Sequence, residues 1–193
     1  MIAAVLCGGQ GSRLQPVIGP HQKCAVDVGG RPWIARVLDF LASSKKVTEI
    51  LLLSGYQSGE IFRAAEAWKA ETRLSDRPII SVLTTRPVGT AAAIETAFQE
   101  TRAGRLLVVN GDTLIEKFDL AEFLSREGAW TVRGRSVLAP GFLVDAGLYL
   151  RLFGNTTPKD FITDRPFLDI GTPEGLLEAR RRFTHPSTPE VRT

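Results

Sequence analysis

Ile2-Ala3-Ala4-Val5-Leu6-Cys7-Gly8-Gly9-Gln10-Gly11-Ser12-Arg13-Leu14 is the stretch from which the rest of the chain is read. Ile2 to Leu6 is an unbroken apolar run, the pattern of a strand buried on both faces of a parallel sheet. No basic residue precedes it and glycines follow at once, so it is expected to be a strand and not a targeting segment. Gly8, Gly9 and Gly11 then give a turn in which backbone N–H groups can approach phosphate oxygens unobstructed. Arg13 adds an always-charged planar fork suited to phosphate. Taken alone, these residues also describe a tight turn with a solvated arginine. Two phosphate loops are excluded. The Walker pattern requires Gly-Lys-Ser/Thr, which is missing here, and Gly9, Gly11 and Leu14 supply only two of the three glycines of G-x-G-x-x-G.

Outward from this loop the pattern alternates strand and helix. Apolar runs at Glu49 to Leu53, Ile79 to Leu83 and Arg105 to Val109 predict three more buried strands. Between them Pro32 opens a helix with Trp33, Ile34, Val37, Leu38 and Leu41 on one face. Ile61, Ala64, Ala65 and Trp68 mark a second helix, and a third runs from about Thr90 to Glu100. Asp119 and Glu122 have capping-box spacing, so a short helix to about Arg126 is expected. Four βα units imply a mostly parallel sheet with helices on both faces and a ligand beyond the carboxyl ends of the strands. After Glu127 short strands are expected at Trp130 to Val132, Phe142 to Val144 and Leu148 to Leu152, as a small antiparallel addition. A last helix starts at Thr172-Pro173-Glu174 and reaches about Phe183. Residues 184–193 are rich in Pro, Ser and Thr and are expected to fray.

Composition narrows the classes of function. The 193 residues are 44% hydrophobic and 23% charged, the balance of a soluble globular chain. Net charge is +3, from 24 basic and 21 acidic residues, and the basic residues are dispersed. Arg180-Arg181-Arg182 sits at a helix end where cations favour the dipole, so no nucleic-acid partner is expected. No apolar stretch approaches the ~20 residues that span a bilayer, and no membrane partner is expected. Cys7 and Cys24, the only cysteines, fit a reduced, cytoplasmic protein. His21 and His185 are too few for a Cys/His zinc site and poorly set for a Ser-His-Asp triad.

The opening loop resembles the L-x-G-G-x-G-x-R-L signature of sugar-phosphate nucleotidyltransferases, in which a lysine follows the arginine by about ten residues, as Lys23 does here. Pro87-Val88-Gly89-Thr90-Ala91-Ala92-Ala93-Ile94 is similar to the P-L-G-T-G-G-A-I segment of the heptose 1-phosphate guanylyltransferase branch. Asn110-Gly111-Asp112-Thr113 resembles the N-G-D metal motif. Val144-Asp145-Ala146-Gly147-Leu148-Tyr149 resembles I-N-A-G-I-Y, and Phe167 to Glu174 is close to F-I-D-I-G-T-P-E. Five motifs in order cover residues 1 to about 182.

The resemblance implies a GT-A-like, Rossmann-like α/β fold and transfer of a nucleotidyl group from an NTP to a sugar 1-phosphate, with Mg²⁺ as cofactor. GTP and heptose 1-phosphate are the leading substrates. It implies a metal held by Asp112 and Asp169, with Arg13 on the triphosphate and Lys23 on the α-phosphate. Leu6, Gly8, Gly9, Gly11, Ser12, Gly89, Thr90, Asn110 and Gly111 would surround the nucleotide, and Asp145 and Gly147 the acceptor. Residues 1–183 would form one domain, with 1–127 taking the nucleotide and 128–183 contributing a reduced acceptor part and the last helix. The antiparallel addition is a candidate homodimer interface.

Several positions depart from the family pattern. The prolines that flank the lysine are replaced by Gln22 and Cys24, which is expected to leave Lys23 less firmly placed. Ala91 and Ala92 replace glycines, and no Glu-Lys pair of the type that helps bind the sugar phosphate is expected between Thr113 and Val144. Asp145 stands where asparagine is usual and would repel an anionic acceptor. Two readings stay open: an active transferase with a compact acceptor pocket, and a nucleotide-binding or regulatory module that has lost turnover.

Overall fold

A computed structural model describes residues 1–72, 78–84, 89–135, 142–154 and 156–184. In chain order the elements are β1 (Ile2–Cys7), α1 (Gln15–Ile18), a 3₁₀ turn (Lys23–Ala25), α2 (Trp33–Ala42), β2 (Glu49–Ser54), α3 (Ser58–Glu71), β3 (Ile79–Thr84), α4 (Thr90–Thr101), β4 (Arg105–Asn110) and β5 (Thr113–Ile115). They continue with α5 (Leu120–Leu124), β6 (Trp130–Arg135), β7 (Leu143–Leu152), β8 (Lys159–Thr163), β9 (Phe167–Asp169) and α6 (Pro173–Thr184).

Seven strands form one sheet in the order β3-β2-β1-β4-β7-β6-β8. β1, β2, β3 and β4 are mutually parallel, β7 is antiparallel to both β4 and β6, and β8 runs parallel to β6. The apolar runs are buried on both faces, as their lack of alternation required. Ala3, Val5, Ile50, Leu52, Leu107 and Val109 face α2, α3 and α6, while Ala4, Leu51, Leu53, Leu106 and Val108 face α4 with Ala97 and Phe98. The expected caps are present. The Asp119 carboxylate accepts from the Glu122 N–H at 2.8 Å, and Thr172 Oγ1 accepts from the Gly175 N–H at 3.1 Å.

The second half departs from the expected pattern. The strands expected at Phe142 to Val144 and Leu148 to Leu152 are one ten-residue strand, β7, and Phe142 lies exposed before it. Asp145-Ala146-Gly147 bulges the strand without ending it: Gly147 adopts φ 71°, the pairing with β6 shifts register between Thr131 and Arg133, and Asp145 pairs with Arg133 beyond the shift. The expected antiparallel addition is present, with β7 antiparallel to β4 and β6 at the edge of the main sheet and β8 beside β6. The separate antiparallel piece is the small β5–β9 pair, with Thr113 opposite Asp169. Thr184 ends α6. Residues 185–193 of the expected frayed tail, and Pro87 and Val88 of the motif before α4, lie outside the described residues. No helix of the described residues is long and apolar enough to cross a membrane.

Candidate active site

The parallel strands end together, and a cavity of about 560 Å³ opens at their carboxyl ends. Of the residues expected around a nucleotide, Leu6, Gly8, Gly9, Gly89, Thr90 and Asn110 line it, together with Lys23 and Asp112. Gln10, Leu53, Gly55, Tyr56 and Ala93 also line it. Leu53, Gly55 and Tyr56 follow from topology, because β2 is the parallel neighbour of β1 and its exit must flank the glycine loop. The Tyr56 N–H donates to the Gly8 carbonyl at 3.1 Å, which ties the two exits together.

The glycine loop curls back at Gly11, where φ is +64° and a Cβ would come within 3.2 Å of the Lys23 side chain. The Leu14 N–H closes that turn on the Gly11 carbonyl at 2.8 Å. Gly11, Ser12, Arg13 and Gly111 are not among the lining residues. Ser12 and Arg13 are exposed.

Lys23 and Asp112 form an ion pair between Nζ and Oδ2, both side chains largely buried. Burial pulls the ammonium toward deprotonation. Asp112 outweighs it, helped by Cys24 and Asp169, and holds the Lys23 pKa above the ordinary lysine value. Asp169 arrives through the β5–β9 pair, which sets it beside Thr113, and the Ile170 N–H donates to the Asp112 carbonyl at 3.0 Å. Burial pushes the Asp169 carboxyl above its usual range. The Gly171 N–H, bonded to Oδ1 at 2.7 Å, opposes this, and the negative charge of Asp112 adds to it. Strands of three residues carry too little pattern to be read from sequence, so the element that joins the two aspartates was missed.

The two carboxylates share a gap. A Cβ placed on Gly171 would lie 2.9 Å from Asp169 Oδ1 and 3.4 Å from Asp112 Oδ2. Two hard carboxylate oxygens facing one open space are a fitting donor set for Mg²⁺, which takes one or two carboxylates and completes its shell with water and phosphate oxygens. Among the described residues no group of three His, Cys, Asp or Glu could hold a metal ion.

Asp145 and Gly147 sit beside the cavity on β7, outside its lining. Gly147 packs on Asn110 and Thr113, where a Cβ would meet either side chain at 3.1 Å. Asp145 is not the bare charge expected from sequence. Its Oδ1 accepts from the Gly147 N–H at 2.8 Å and the Tyr149 hydroxyl at 2.6 Å, and Arg133 faces its Oδ2 at 3.7 Å. Burial, with the Asp145 carboxylate next, pushes the Tyr149 phenol above its ordinary pKa, so Tyr149 remains a donor.

The sequence profile of the MobA-like NTP transferase domain matches residues 3–149. The chain is 31% identical over 130 residues to the bifunctional protein GlmU of Methanococcus maripaludis, an alignment covering 67% of this chain and 28% of that protein. It is 28% identical over 118 residues to the D-glycero-alpha-D-manno-heptose 1-phosphate guanylyltransferase of Aneurinibacillus thermoaerophilus, covering 59% of this chain and 47% of the relative. The chain thus spans less than half the length of these two relatives. Among solved structures, HddC from Yersinia pseudotuberculosis complexed with GMP-PN superposes with a TM-score of 0.72 at 22% identity, over 94% of this chain and 99% of that one. UTP-bound UGPase from Acinetobacter baumannii superposes with a TM-score of 0.75 at 14% identity, over 96% and 94%. The shared fold is the GT-A-like α/β fold of nucleotidyltransferases.

Proposed function

The chain belongs to the MobA-like NTP transferase family, and from that premise we propose that it is an enzyme joining an NTP to a sugar 1-phosphate, releasing pyrophosphate and an NDP-sugar. The observation that carries this reading is the Lys23–Asp112 pair, with Asp169 alongside, at the edge of a cavity walled by the glycine loop. One phosphate oxygen of the sugar phosphate attacks the α-phosphorus of the NTP, and the bond to the β-phosphate bridging oxygen breaks. The attacking oxygen is already an anion, so no strong base is needed. The work is positioning and neutralisation of charge.

In this reading the loop from Gly8 to Gly11 cradles the phosphates and Arg13 meets the triphosphate and departing pyrophosphate. Lys23 exchanges its Asp112 partner for the α-phosphate. Mg²⁺, held by Asp112 and Asp169, supplies the Lewis-acid neutralisation of phosphate charge. The base and ribose lie against Gly89 and Thr90. Residues 1–127 take the nucleotide, and 128–183 of the same domain present the acceptor to Asp145, with Arg133 next to it. GTP is the leading donor and heptose 1-phosphate the leading acceptor, supported by the heptose 1-phosphate guanylyltransferase among the relatives.

A thermal-shift series with GTP, ATP, CTP, UTP and dTTP, each with and without Mg²⁺, tests the reading. A ligand at a hundredfold its Kd adds about 2.7 kcal/mol, which at this size raises Tm by about 5–11 °C. The expected result is a Mg²⁺-dependent rise with GTP, followed by pyrophosphate release on adding a heptose 1-phosphate. A rise with another nucleotide replaces the donor. Binding without pyrophosphate release over a panel of sugar 1-phosphates leaves a nucleotide-binding module and overturns the transferase assignment.

A further inference from the structure

Gln22 is a fully buried polar side chain whose amide is used at both ends. Its Nε2 donates to the carbonyl of Cys7, the last residue of β1, and to that of Gly9 in the glycine loop at 3.1 Å. Its Oε1 accepts from the Cys24 N–H at 2.7 Å, and its own carbonyl closes the 3₁₀ turn by accepting from Ala25 at 2.9 Å. Outside the turn, the Gln22 N–H donates to Glu60 Oε2 of α3 at 2.8 Å, while Glu60 Oε1 contacts His21 Nδ1 at 2.9 Å. One side chain therefore spans from the loop that faces the cavity to the turn that carries Lys23, and α3 holds it from behind.

We infer that Gln22 is a positioning residue that fixes the spacing between the glycine loop and the Lys23 ammonium, so that triphosphate and α-phosphorus are met by one rigid unit. This rests on the proposed transferase reading. It reverses the expectation that loss of the flanking prolines loosens Lys23. Proline stiffens a backbone, whereas Gln22 bonds two segments to each other. No apolar side chain can do the same. Methionine has similar length and would leave the Cys7 and Gly9 carbonyls without their donor, and glutamate would set a carboxylate oxygen against both.

The test compares the full chain with Gln22→Met, Gln22→Glu and Phe123→Leu. The last is a control in the aromatic cluster of Phe118, Phe123 and Phe161, apart from the cavity. kcat and KM are read with the nucleotide and sugar phosphate that the wild type uses, below the Tm of every variant. Amide hydrogen exchange at Leu14, Gln15 and Tyr56, whose N–H groups bond to the loop carbonyls of Gly11 and Gly8, is read without ligand. Gln22→Met is expected to lower kcat at least about tenfold, given how steeply rates fall with misplacement. KM for the acceptor should hold within about threefold, and these three amides should exchange faster than in the control, whatever the loss in Tm. Gln22→Glu follows the same direction and serves if the methionine variant does not fold. Variants that lose Tm but keep the kcat and amide exchange of the control overturn the inference and reduce Gln22 to a packing residue. A wild type that neither binds nor turns over any nucleotide defeats the transferase reading and the inference with it, a result distinct from the first.

Discussion

Asp112 is bonded to the Lys23 ammonium and, in the proposed reading, would also share Mg²⁺ with Asp169 across the gap between them. Asp112→Asn keeps the shape and removes the charge. Pyrophosphate release is expected to fall at least about a hundredfold, with circular dichroism and Tm close to wild type. An unchanged rate would remove Asp112 from the metal. Gly171→Ala probes the same gap sterically, since its methyl group would enter between the two carboxylates. Its Mg²⁺ requirement should shift upward in a titration of rate against metal, with little loss of fold. The residues that carry charge were legible in the sequence through their motifs. The residue that braces them was not, because a buried glutamine has no pattern to distinguish it from a solvated one until its neighbours are in place.

Among the elements, α3 shows how a helix serves a site it does not line. Glu60, near its start, accepts from the backbone of the Lys23 turn. Burial works against the Glu60 charge, but the Gln22 N–H and His21 outweigh it and hold its carboxyl below the ordinary glutamate range. A depressed folded pKa means that the stabilisation is present above the unfolded value and is lost as pH falls through the lower folded one. The Tm difference between wild type and Glu60→Gln should therefore be largest near neutral pH and shrink as the solution is acidified through the carboxylate range. A difference that does not vary with pH would show that the charge plays no part. The long strands and helices were readable because burial imposes period and length on them. The sequence pattern splits β7 in two because Asp145 and Gly147 are turn formers by type, and it is the pairing of Val144 and Asp145 to β6 on one side of Gly147, and of Leu148 to Leu152 to β4 on the other, that carries the strand through. β5, β8 and β9 were missed because brevity or exposure erases the apolar signal.

For the molecule as a whole, stability rests on β1, β2 and β4, whose residues are buried on both faces. Leu107 on β4 is fully buried, and Leu107→Ala should cost about 3 kcal/mol, seen as a fall of about 6–12 °C in Tm. A much smaller fall would mean that the sheet can close around the gap.

The place of β7 also bears on synthesis. β1, β2, β3 and β4 emerge from the ribosome before any of the second half, and in the finished protein β4 is hydrogen-bonded on its outer side to β7. Until residue 152 has been made, β4 is a bare edge of Leu106, Leu107, Val108 and Val109, the kind of edge that recruits other chains. A nascent or truncated first half would carry every motif of the nucleotide cradle and still be prone to aggregate. The proposed division of function near residue 127 would therefore not be a division of solubility, because the strand that covers β4 lies on the far side of it.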